Sequence, residues 1–120
     1  MSEPIDAAVF ANLVDMTGGE LDFVDELVDT FLADGVAQLE TVRAAAAGDD
    51  LATLTRAVHS LKTSAMNVGA LELGGLCLTL EMEGRAGSVP DAAGRIAAIE
   101  AAFGAARTAL LDERARRGAG

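Results

Sequence analysis

The chain has 120 residues, 51% of them hydrophobic and 23% charged, with 19 Asp/Glu against 9 Lys/Arg and one histidine, for a formal net charge of −10. That apolar fraction excludes a disordered chain, and the length suits one domain that buries a core without disulfide or metal staples. The negative charge argues against nucleic acid or an anionic membrane as partner.

Breakers divide the sequence into one short and four longer helical segments. The first covers residues 5–16 and ends at Gly18-Gly19. The second, 21–47, repeats Leu21, Val24, Leu27, Val28, Phe31, Leu32, Val36, Leu39 and Val42 at helical spacing and stops at Gly48. Its acids Asp22, Asp25, Asp29 and Asp34 read as a solvated face. Asp49 or Asp50 caps the third, 50–67, whose inward residues are Leu51, Leu54, Val58, Leu61 and Ala65, followed by Val68 and the break at Gly69. The fourth, 70–84, turns Leu73, Leu76, Cys77 and Leu80 inward and ends at Gly84. Ser88 is the expected cap of the last helix, with Asp91 three residues on and Pro90 in the first turn. Ile96, Ile99, Phe103, Ala106 and Leu110 form its stripe, and residues 114–120 fray as a basic tail. Connections this short force neighbouring helices antiparallel. The expectation is a single all-α domain, an up-down four-helix bundle with the short first helix across one end.

Cys77 has no second cysteine to pair with and no cysteine or histidine at metal-ligand spacing, so neither a disulfide nor a metal site is expected, and a reducing cytoplasm is the natural compartment. The N-terminal stretch is acidic without a signal-peptide apolar run, and no segment is long and apolar enough for a bilayer. No cofactor motif is present.

Charge is unevenly distributed. Residues 1–50 hold twelve acids against Arg43 alone (−11), residues 51–120 seven acids against eight bases (+1), and residues 51–71 contain no carboxylate at all. This mildly positive island carries His59 and Lys62, the only histidine and the only lysine. At about 100° per residue, His59 lies roughly 120° from the apolar direction of its helix and faces outward, beside Thr55, Arg56, Lys62, Thr63 and Met66. Antiparallel pairing brings Glu81 back toward its level.

A surface histidine beside a lysine is ordinarily a solvated face. A metal role lacks further ligands, and Ser60 and Ser64 are too poorly placed for a hydrolytic triad. The chemistry left open is nucleophilic catalysis by the imidazole itself, with a cation one turn along to offset phosphate charge.

The order of residues around the ring goes further. His59-Ser60-Leu61-Lys62-Thr63-Ser64, then Gly69-Ala70, Leu73, Cys77, Leu80 and Glu81, resembles the signature of histidine-containing phosphotransfer (HPt) domains. The resemblance implies a carrier without kinase activity of its own. Its histidine takes a phosphoryl group from the aspartyl phosphate of one response-regulator receiver domain, or from a hybrid sensor kinase, and passes it to another receiver, which supplies the metal ion. On that resemblance His59 is the phosphoacceptor at Nε2, Lys62 lies beside the phosphoryl oxygens, and Glu81 binds the Nδ1 proton. The carrier is expected to be a monomer. Thr63 departs from the family, which most often has Gly there, and Ala65 replaces a common Ser. Arg56, Thr63, Met66, Leu71 and Leu78, with Met82 beside them, are the expected docking residues.

Thr63 also sustains the alternative of an adaptor that binds a receiver without carrying phosphate. A sensor-kinase dimerisation segment fits less well, because Ser60 stands where such segments place an acid and no Gly-rich nucleotide loop is present. A chemotaxis-kinase phosphotransfer domain is closer in fold, but its expected further domains are missing.

Overall fold

Among the described residues the chain forms five helices: α1 (Ala7–Met16), α2 (Leu21–Ala47), α3 (Leu51–Asn67), α4 (Leu71–Ala86) and α5 (Ala92–Ala119). The computed structural model describes residues 3–119, except the side chains of Leu21 and 117–119; the inward place expected for Leu21 and the final arginine of the basic tail, Arg117, therefore lie outside the described residues. Helix α1 starts two residues later than its periodicity suggests, because the Asp6 side chain accepts from Val9 N at 3.0 Å and so caps it. Asp50 does the same for α3, accepting from Thr53 N at 3.1 Å.

Two boundaries depart from expectation for identifiable reasons. Gly84 does not end α4; the helix continues to Ala86, and Gly87, with φ of 90°, makes the left-handed turn that glycine tolerates best. Ser88 does not cap α5. That role falls to Asp91, whose carboxylate accepts from Gly94 N at 3.0 Å, while Val89 is biased out of helical conformation by the following Pro90. The end of α5 differs too. The helix runs on through the segment expected to fray, and Arg114 reaches the acidic face of α2, 2.6 Å from Asp29 and 3.8 Å from Asp25. That face is thus bridged rather than wholly solvated.

Helix α2 packs on α3 and α5, and α4 closes the ring by packing on the same two. The core runs through all four layers, from Val28 and Val42 to Leu54, Leu61, Leu73, Leu80, Ile99 and Leu110. Helix α1 adds Phe10 and Val14 at the end where α3 turns into α4: Asp6 N donates to Gly69 O at 2.7 Å. Gly69, with φ of 85°, also leaves no room for a side chain, since a Cβ would stand 2.9 Å from Asp6 O.

Two residues expected in the α2 stripe, Leu27 and Val36, are exposed. The inward path takes Gly35 instead, and the Phe103 ring occupies the space its missing side chain leaves, 5.6 Å from the Phe31 ring. Replacing Gly35 with Val would drive Cβ into that ring, so we expect a loss of roughly 1–3 kcal/mol in a urea melt. An unchanged midpoint would show that α5 shifts without cost.

Candidate functional site

The seam between α3 and α4 is built for close approach. A side chain at Gly84 would collide with the Thr55 hydroxyl, and one at Gly74 with the Met66 sulfur. Between these glycines α4 turns Cys77 and Glu81 toward α3, both buried. The narrow seam lets a side chain of moderate length on one helix reach the other.

His59 stands on the rim of this seam with half its side chain exposed, as the helical period requires. Its Nδ1 lies 2.8 Å from Glu81 Oε2. Glu81 is only 3% exposed, and three side chains donate to it: Lys62 Nζ to Oε1 at 2.7 Å, and Arg85 Nη2 and Nε to Oε2 at 2.7 and 3.1 Å, besides the imidazole. The hydrogen bond from Lys62 leads in holding the Glu81 carboxyl at about 2, well below its ordinary 4.5; burial opposes this, and the bonds from Arg85 and His59 reinforce it.

The carboxylate is therefore ionised and can only accept, so Nδ1 is the ring nitrogen that carries a proton toward it, and Nε2 is the one that Glu81 does not engage. Two cations face one carboxylate, which keeps the cluster net positive although Glu81 itself enters the carboxylate-free island from α4. Cys77 sits beneath this cluster with its thiol pushed up to about 12, chiefly by burial and then by the Glu81 charge. It is a packing residue, not a nucleophile.

Lys62 is partly buried and its ammonium is engaged by Glu81. Thr63 is exposed, and its hydroxyl donates to His59 O at 3.1 Å, one turn back along its own helix. Arg56 is exposed with its guanidinium 3.3 Å from the Thr53 hydroxyl. Met66, Leu71, Leu78 and Met82 are all exposed. By helical phase Leu71, Leu78, Met82 and Arg85 lie on the outer side of the α4 seam, and Thr63 and Met66 on the corresponding side of α3, so these residues surround the imidazole on one face. Arg85 is the participant that sequence reasoning missed. Its signal was present in the Glu81 to Arg85 spacing of four, with the acid N-terminal to the base. Among the described residues no cluster of three or more His, Cys, Asp or Glu side chains could hold a metal, and no helix is long and apolar enough to cross a membrane.

Fold and site together define a helical bundle with one half-exposed imidazole tied through Nδ1 to a buried carboxylate. The Hpt domain family matches residues 26–109. The crystal structure of histidine-containing phosphotransfer protein B (HptB) from Pseudomonas aeruginosa PAO1 is similar along nearly the whole chain, with a TM-score of 0.88, 30% identity, and coverage of 97% of this chain and 98% of that one. No curated protein sequence matches significantly. This chain belongs to the Hpt family, the histidine phosphotransfer intermediates of two-component phosphorelays.

Proposed function

We propose that His59 carries the phosphoryl group, accepting it at Nε2 from a receiver-domain aspartyl phosphate or a hybrid sensor kinase and passing it to another receiver. The observation that carries this reading is the Nδ1 contact with an ionised, buried Glu81, which leaves Nε2 as the free nucleophile on an exposed surface. In the forward step the Nε2 lone pair attacks phosphorus, the P–O bond to the aspartate breaks, and the carboxylate leaves with that electron pair. No proton has to move. The ring keeps its Nδ1 proton and becomes a phosphoimidazolium, whose new positive charge lies against Glu81, so the carboxylate binds the transition state more strongly than the ground state.

Nothing in this scheme uses ATP or a metal held by this chain, and we assign it no kinase activity of its own. The carrier works as a single-domain monomer, since its own α3 and α4 complete the His59–Glu81 pair. A cytoplasmic setting suits the one unpaired, buried cysteine. Receivers would dock on Arg56, Thr63, Met66, Leu71 and Leu78. The Thr63 hydroxyl donates to His59 O of its own helix and so needs no partner from a docking receiver.

Incubation with a panel of phosphorylated receivers should place acid-labile label on the protein. Binding without label would establish the adaptor instead.

Lys62 reaches the cluster from the same helix as His59 and can turn from Glu81 to phosphoryl oxygens. Lys62→Ala should slow transfer by about ten- to a hundredfold without altering helical circular dichroism, in line with the loss of a positioned cation. Unchanged transfer kinetics would remove Lys62 from the site.

A further inference from the structure

Arg85 has no place in the scheme above, yet its contacts are specific. It is mostly exposed, with 37% of its side chain covered. From that position it directs both Nε and Nη2 at one atom, Glu81 Oε2, the same oxygen that receives His59 Nδ1. An ordinary solvent-facing arginine one turn from a glutamate gains little from such a pair and is free to swing away. Here the acceptor is buried and its other oxygen is already held by Lys62 from α3, so the carboxylate is fixed at both ends. Lys62 alone would leave the plane of the carboxylate free to rotate about Oε1. The guanidinium fork, pulling on Oε2 from one turn further along α4, removes that freedom.

We propose that Arg85 is a positioning residue for phosphotransfer: by fixing Glu81 Oε2 it holds the proton of His59 on Nδ1 and keeps Nε2 as the attacking nitrogen. This rests on the phosphocarrier reading and extends it to a side chain that acts through its hydrogen bonds to Glu81. Arg85 acts on the tautomer, and through it on rate, while Lys62 acts on charge. The two should therefore fail differently when removed.

The decisive measurement is the 15N NMR spectrum of the His59 ring in the whole protein near neutral pH, which distinguishes a protonated Nδ1 from a protonated Nε2 whether or not the protein is ever phosphorylated. Wild type should show the Nδ1–H form. Arg85→Ala should shift it to a mixture of tautomers and lower the transfer rate from a phosphorylated receiver by roughly ten- to thirtyfold, the lower part of the range for losing a group that orients a functional imidazole. Arg85→Lys should recover most of the Nδ1–H signal, because a cation returns to Oε2, but not the full rate, because the fork is missing. Circular dichroism guards against misfolding, and Arg85→Gln, which keeps the length of the side chain, replaces the alanine variant if that one unfolds. An unaltered ring spectrum in whichever of these two variants folds overturns the positioning role. A wild-type protein that shows the Nδ1–H form but takes no label rejects the carrier reading while the Arg85 variants still decide whether Arg85 holds the tautomer, so the two failures are distinguishable.

Discussion

His59→Gln should abolish acid-labile labelling by a phosphorylated receiver while leaving the helical circular dichroism and thermal midpoint close to wild type. The loss is expected to be complete because the protein has no second imidazole to take over. The nearby hydroxyls are also occupied or turned away: Thr63 donates to His59 O, and Ser60 and Ser64 lie on other sides of the helix. The fold should survive because half of the His59 side chain faces solvent and the core beneath it is supplied by Leu61, Val58 and Leu54. Gln also restores part of the contact with Glu81 through its amide N–H. Persistent label on the variant would move the phosphoacceptor elsewhere and reject the assignment.

Glu81→Ala should lower the transfer rate by about ten- to a hundredfold, the span typical when a group that orients a functional imidazole is lost, and should alter stability besides. Three donors converge on this one carboxylate, so its removal frees the ring to change tautomer and leaves Lys62 and Arg85 facing each other without the charge between them. Stability should respond as well. The folded carboxyl sits near 2 against an ordinary 4.5, so its contribution is complete above about pH 4.5 and is lost as the pH falls toward 2. Wild type should therefore lose stability over that window more steeply than Glu81→Ala. Identical acid limbs would mean that Glu81 gains nothing from its partners on folding.

Much of this architecture could be read from the chain before any coordinates. The α3 boundaries followed from Asp50 and Gly69, and the outward direction of His59 from the 3.6-residue period, because both depend on local geometry alone. The errors arose where tertiary packing overrode local signals. Gly84 looked like a stop but is there so that Thr55 can come close, and Gly35 was passed over in favour of Val36 because nothing in α2 alone shows that a phenylalanine from α5 needs the room. Glu81 was tied to His59 by resemblance, and its level on α4 was approximate. Its three simultaneous donors depend on the width of the α3–α4 seam, which no one-helix pattern encodes. Arg114 is similar: it was assigned to a fraying tail because its acidic partners lie 85 and 89 positions away in the chain.

The burial of Glu81 separates two tasks that share one surface. On the docking face proposed above, a receiver would meet the imidazole edge and the side chains around it, but not the carboxylate underneath. Substitutions at the apolar rim positions Met66, Leu71, Leu78 and Met82, unlike those at Arg85 or Lys62, would therefore change which signalling partner is preferred while the reactivity of the nitrogen stays constant. Drift in the hidden acid would alter exchange with every partner at once.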